Sequence, residues 1–292
     1  MSSTRLILLT LFAMLSFAGN SVLCRLAFRQ TSIDAASFTA IRVLSGALML
    51  VLLVHFRRRA ATAAAGRHGG NHGMGGNWPS AFALFTYAGG FSFAYLSLPT
   101  STGALLLFGA VQATMILAGL WAGEQLSARQ ASGLLLALAG LVTIMLPGLS
   151  APPLGGALLM LSAGIAWGIY SLRGRGVADP AGATAGNFLR AAPLSVLLSA
   201  ALLAQQQLDG LGILYAVLSG AIASGIGYAV WYAALRGLAA TRAASVQLSV
   251  PVIAALAGVL FLHEPITLRL LLASVAILCG IALVVLDRRP AV

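Results

Sequence analysis

The sequence predicts an all-α polytopic membrane protein, with ten transmembrane helices arranged as two inverted five-helix repeats around a central cavity. Three observations predict it. Hydrophobic residues make up 60% of the 292 residues and charged residues only 8%, with a mean hydropathy of +0.97. Soluble domains carry about a quarter charged residues, so this chain cannot cover a water-facing surface. Lipid removes that problem, because an apolar exterior is what it demands. Second, apolar runs near the roughly 20 residues needed to cross a bilayer recur along the chain. Third, one stretch of the first half returns in the second.

The predicted spans are 6–27, 34–55, 79–97, 101–121, 127–146, 154–172, 182–204, 210–233, 240–262 and 267–286. Pro99, Pro147, Pro152, Pro153, Pro180 and Pro265 punctuate the connections, where helices stop. The one long connection, 56–78, runs from Phe56 through Arg57, Arg58 and Arg59 to Trp78 and reads as flexible. His68 and His72 lie four apart there, but among glycines, so no metal site is expected. A cleavable signal peptide ending near Ala18-Gly19 is the alternative for the first span; the apolar run continues to Ala27, too long for an h-region. Cys24 and Cys279 lie in apolar runs and read as small packing residues, not a disulfide or metal pair.

All 17 basic residues are arginines, and the net charge is +11. They sit mainly in short connections, so the charge reads as topology and not as nucleic-acid binding. With a cytoplasmic N-terminus, twelve arginines lie inside and three (Arg25, Arg29 and Arg269) outside. Both termini are therefore expected in the cytoplasm, in a bacterial inner membrane.

Residues 103–146 align without gaps on 243–286, at an offset of 140. The match includes Leu120/Leu260, Glu124/Glu264, Ser127/Thr267, Arg129/Arg269 and Gly140/Gly280, and those are the chain's only two glutamates. A second pairing, offset by about 148, sets Arg42 opposite Arg190. The repeats would be residues 1–147 and 148–292, helices 1–5 and 6–10. Five helices per copy is odd, so the second copy enters the membrane upside down, an architecture of transporters with a midplane site.

The pattern of Gly123, Glu124, Leu126, Ser127, Gln130 and Gly133 resembles EamA-type domains of the drug/metabolite transporter superfamily. Pro251 and Val252 followed by Glu264 and Thr267 do so again, and Phe38, Arg42, Trp167 and Tyr170 fit as well. The resemblance implies a central basket-like cavity, with helices 5 and 10 peripheral. Within the superfamily the chain most resembles the aromatic amino-acid exporters. One departure is His263 before Glu264, where a small residue is usual.

Polar groups inside a membrane are costly and tend to be functional. The candidate substrate-binding residues are Asn20, Phe17, Tyr87, Phe91, Trp167, Tyr170, Tyr228, Tyr232, Ser245 and Gln247. Tyr87, Phe91 and Tyr95 recur every four residues and share a helix face. Asn20, Gln247 and hydroxyls would take a polar head, and the rings an apolar side chain; the alternative is packing or an interface belt. Arg42 and Arg190 read as carboxylate-binding or as structural, snorkelling or capping carbonyls. Glu124 and Glu264 open helices 5 and 10 and read as a structural pair at positive helix N-termini. No acidic residue falls at mid-membrane, which disfavours tight proton coupling and favours a facilitator or exchanger. Gly225, Gly227 and Pro251 are candidate hinge residues, against close helix packing for the glycines; Pro193 and Pro251 predict kinks.

The function that follows is export of amino acids or similar small metabolites by alternating access, by a monomer with no cofactor. Rival cargoes are drugs, nucleosides and sugar phosphates, though phosphate would want more cations. A membrane-embedded enzyme or a scaffold ranks lower, for want of HExxH, paired aspartates or a Ser/His pair at depth.

Overall fold

A computed structural model describes residues 2–65, 74–123, 127–146, 151–174, 177–235, 237–238 and 246–286. All regular structure among them is helical. We label the helices α1 (Ser3–Gln30), α2 (Ala35–Ala65), α3 (Trp78–Ala94), α4 (Thr100–Trp121), α5 (Ala128–Met145), α6 (Leu154–Arg173), α7 (Pro180–Ala201), α8 (Gly210–Leu235), α9 (Ser249–Leu262) and α10 (Leu268–Leu286).

Local chemistry sets the starts. Asn77 caps α3 through the Ser80 amide at 2.9 Å, with Pro79 in the first turn, where its missing N–H is not needed. Ser127 and Gln130 form a reciprocal capping box on α5. Thr267 caps α10 one way only, accepting from the Leu270 amide at 3.2 Å. Pro180 is the first residue of α7.

Six helices among the described residues are long and apolar enough to cross a membrane: α1, Ala35–Ala60 of α2, α4, α5, α6 and α8. The apolar α9 and the stretch Leu268–Val284 of α10 are shorter. Large apolar side chains stand exposed along these helices, such as Leu44, Leu48 and Leu52 on α2 and Leu135, Leu138 and Val142 on α5. Such faces belong in hydrocarbon. The chain is a multi-pass membrane protein.

Two expectations are corrected. The 56–78 connection is not wholly a loop: α2 runs on through Arg57–Arg59 to Ala65, because Arg and Ala are strong helix formers. His68 and His72 lie outside the described residues. The ninth span does not run unbroken from 240. Residues 239–245 are outside the description, the helix is interrupted at Leu248, and α9 starts at Ser249. Pro251 lies in the first turn of α9, three residues past that interruption, and its missing N–H loosens the preceding turn. Gln247, whose carbonyl Pro251 could not have bonded, lies just before the break.

Helix neighbours form a regular pattern. α2 packs on α7, α5 on α10 and α4 on α9; α3 and α4 flank α6, and α8 and α9 flank α1. Exchanging each helix of the first five with its counterpart five places later maps this set onto itself. α5 and α10 run antiparallel and meet backbone to backbone. A Cβ on Gly133 would fall 2.6 Å from the Gly280 carbonyl oxygen, and one on Gly140 would lie 3.1 Å from that of Ala273. Glycine allows this approach, as at other membrane helix crossings. Gly123 and His263, 140 apart, both adopt left-handed backbone, at φ +90° and +52°. His263 is the C-cap of α9, so the small residue usual there answers to backbone conformation.

Candidate functional site

Asparagine in an apolar helix must find partners, and Asn20 finds them on two other helices. Its amide nitrogen donates to the Tyr87 hydroxyl at 3.3 Å, and its amide oxygen accepts from Ser219 at 2.5 Å. This ties α1, α3 and α8 around a cavity lined by Phe17, Asn20, Tyr87, Phe91, Leu107, Phe108, Trp167 and Tyr228. The space is about 20 Å³, room for one water. Trp167 of α6 is its aromatic hub: its ring lies 4.8 Å from Tyr87, 5.0 Å from Tyr228 and 5.3 Å, stacked, from Tyr170. Phe17 adds an edge contact to Tyr228 at 5.8 Å.

Behind this wall sits Arg42, only 2% exposed. Its Nη2 donates to the Tyr87 hydroxyl at 3.1 Å, and its guanidinium lies 4.7 Å from the Phe91 ring and 5.2 Å from the Tyr87 ring. Its Nη1 is buried without a partner. Among the described residues neither ion pair involves Arg42. Burying an unpaired guanidinium costs several kcal/mol, and each ring returns about 0.5–2 kcal/mol, so the charge is undercompensated. α8 is itself distorted beside this cluster. Leu218–Ile226 is π-helical, and Gly220 packs directly on the Arg42 carbonyl oxygen. π-segments are rare and concentrate at functional sites.

The two ends differ. At one, a larger cavity of about 80 Å³ lies among Asn77, Ser80, Tyr170, Arg173, Thr184, Asn187 and Tyr232. Arg173 donates to Ser80 and to the Asn77 side-chain oxygen, both at 3.1 Å. Asn187 accepts from the Asn77 amide at 2.9 Å and donates to the Tyr170 hydroxyl at 3.4 Å. At its rim Arg57 meets Asp179 at 2.5 Å. Partial burial pushes the Asp179 carboxyl up, but the Arg57 guanidinium and the Gly182 amide outweigh it and hold it below the ordinary range.

At the other end Glu264, 6% exposed, accepts from the Thr100 amide at 2.7 Å and pairs with Arg25 at 3.4 Å. Thr100 is the first residue of α4, so the helix N-terminus that Glu264 serves is that of α4, not α10. Its carboxylate occupies the space where a Gly258 side chain would start. Arg25 also donates to the Tyr95 and Leu96 carbonyls at 2.8 and 3.2 Å, and Arg29 to Leu262 at 2.9 Å. Asp34 accepts from the Ser37 and Gln207 amides, at 2.8 and 3.0 Å. Partial burial raises the Asp34 carboxyl, and these donors overcome that and lower it.

Of the residues singled out in the sequence, the structure brings Phe17, Asn20, Tyr87, Phe91, Trp167 and Tyr228 to one cavity and Tyr170 and Tyr232 to the larger one. Ser245 and Glu124 lie outside the described residues, and Gln247 is half-buried beside the start of α9. Arg190 does not reach the cavity. It is half-exposed and donates to the Gly75 and Gly186 carbonyls at 3.0 and 2.9 Å, as its structural reading had it. Gly225 and Gly227 face Met49 and Ser16 at 3.1 and 2.9 Å from a would-be Cβ, as close packing requires. Sequence reasoning missed Leu107 and Phe108, which no polar or periodic signal marks in α4. It also missed the Asn77–Arg173–Asn187 group, visible only as an N-cap asparagine and a helix-end arginine.

Comparison with known proteins adds the following. Residues 154–286 match the EamA-like transporter family. The chain is similar to the uncharacterized protein PA1977 of Pseudomonas aeruginosa, 58% identical over 288 residues that span 99% of this chain and 97% of that one. It is also similar in fold to a protein of known crystal structure, with a TM-score of 0.63 at 21% identity over 98% of each chain.

Proposed function

We propose that this chain, whose residues 154–286 match the EamA-like transporter family, is a membrane transporter of the drug/metabolite superfamily that exports aromatic or neutral amino acids, or similar small metabolites, by alternating access. The observation that carries this reading is the cavity around Trp167, where five rings and an asparagine converge from α1, α3, α6 and α8, with Phe108 of α4 as a sixth ring. Stacking surfaces with a few fixed polar groups suit a small solute that has an apolar side chain and a polar head.

Two inverted repeats, 1–147 and 148–292, are supported by the exchange symmetry of the helix contacts and by the matching turns at Gly123 and His263. Such repeats place a site at their interface and expose it by rocking. The cavity holds no more than a water as it stands, so admitting a solute requires one end to open. The Arg25–Glu264 clasp then closes one mouth, and the Arg57–Asp179 pair stands at the rim of the other.

The arginine bias assigns the Arg173 end to the cytoplasm, together with both termini, in a bacterial inner membrane. The three arginines on the other side support this by exception. Arg25, Arg29 and Arg269 each bind carbonyls at helix ends, Arg269 that of Leu146, so each has a structural reason to stand against the bias. A facilitator or exchanger fits the polar residues that line the cavity, none of which is acidic.

The test is flux from proteoliposomes loaded with tryptophan, leucine, uridine or a lipophilic cation. Tryptophan and leucine move, and Trp167→Ala lowers tryptophan flux at least tenfold while leucine flux falls less. Movement of uridine or the cation alone would replace the cargo with nucleosides or drugs. No flux of any of them would favour a scaffold or an enzyme.

A further inference from the structure

We propose that the central cavity contains an anion subsite for the substrate's carboxylate, in which the Tyr87 hydroxyl is the donor and Arg42, one layer behind, supplies the counter-charge. It rests on the transport reading above and names the chemistry of the polar head.

The Tyr87 oxygen accepts from Asn20 at 3.3 Å and from Arg42 at 3.1 Å. A hydroxyl oxygen has two acceptor positions, and both are filled. Its proton is therefore left to be donated, and Tyr87 lines the cavity. The Tyr228 hydroxyl stands close to that of Tyr87 across the same cavity but completes no hydrogen bond, and Nη1 of Arg42 is buried with no partner. The one strong acceptor nearby, the Asn20 amide oxygen, is already taken by Ser219 at 2.5 Å. The unmet groups are thus two hydroxyl protons and a guanidinium N–H, with the Tyr228 oxygen the one acceptor open among them and a cation behind them.

A carboxylate answers that inventory: it is acceptor-only, carries two oxygens and bears the missing charge. An ammonium head would find only the Tyr228 oxygen to accept from it and would set a second cation near Arg42. Water could satisfy a hydroxyl but would leave Arg42 uncompensated. Buried arginine without an acid, beside an opening pocket, reads as a charge whose partner arrives with the cargo.

Thermal unfolding of the purified full chain, titrated with indole-3-propionate, its amide and tryptamine, tests this. The three probes share one ring and differ in the head group. The carboxylate is expected to bind at least tenfold more tightly than either other probe. Arg42→Gln and Tyr87→Phe should each bring carboxylate affinity down to that of the amide and leave amide affinity within threefold. Arg42→Lys should retain part of the preference. Ligand-free melting shows whether each variant folds, and Tyr87→Phe, which keeps the ring, serves if Arg42→Gln does not. Equal binding of amide or amine, binding of none, or a preference that survives in every folded variant overturns the subsite. A carboxylate preference without amino-acid flux would instead sink the export reading and leave the subsite standing.

Discussion

At one end of the bundle a buried carboxylate draws three helices together: Glu264 takes the α4 N-terminal amide and the Arg25 guanidinium, and Arg25 holds the α3 carbonyls. At the other end Arg173 reaches only neutral oxygens around a cavity of about 80 Å³, and the Arg57–Asp179 ion pair is half in solvent. The comparison separates a latch from a vestibule. A buried ion pair adds little stability over apolar packing, yet it is costly to break halfway. That makes it either fully made or fully hydrated, which suits a mouth that must be shut or open. A solvated polar rim has no such threshold.

The sharpest way to break this contrast is to remove charge from the latch. Glu264→Ala leaves the Arg25 guanidinium and the Thr100 amide without their acceptor and should cost about 3 kcal/mol, measured by denaturation in detergent. Equal stability would show that the latch carries no load. Gly258→Ala sharpens the geometry, because the new Cβ would lie 2.7 Å from the Glu264 carboxylate. It should cost about 1–3 kcal/mol by overpacking. In the Glu264→Ala background that cost should shrink, a coupling that a double-mutant cycle reads.

Next comes the turn beside the latch. His263→Gly relieves left-handed backbone at φ +52° and should stabilise the chain by about 1 kcal/mol. His263→Val should destabilise it. The smallest effect belongs to the vestibule. Asp179→Asn should cost well under 1 kcal/mol, since both partners are over a third exposed. Its pH dependence has a definite sign. The folded carboxyl lies below its ordinary 3.8, so its contribution is full above that value and is lost as pH falls through the lower folded value. The unfolding midpoint of Asp179→Asn should converge on that of the parent chain in that acid window.

Much of this was legible in the sequence, for reasons that differ by residue. Asn20 and Trp167 stand out because lipid makes a polar or amphipathic group in an apolar run conspicuous. Leu107 and Phe108 do not, because the mid-helix polar residues of α4, Gln112 and Thr114, are not among those lining the cavity and so do not mark its cavity side. Glu264 was visible as half of a repeated pair, but its partner helix was not: a carboxylate was assigned to the helix it precedes, and the α4 N-terminus arrives from 164 residues away. The extension of α2 through Ala65 was hidden by arginines that resemble a loop but form helix well. Pro251 stands out in the sequence as a helix breaker, and the interruption at Leu248 falls in the turn that its missing N–H loosens.

The central claim, one cavity reached alternately from either end, is tested most directly at Asn20. With Cys24→Ala and Cys279→Ala removing the native thiols, Asn20→Cys can be probed with a membrane-impermeant thiol reagent applied from each face of sealed vesicles. The account predicts reaction from both faces, with Glu264→Ala raising the rate from the Arg25 face and lowering it from the Arg173 face. Reaction from one face only, unmoved by that substitution, would contradict it.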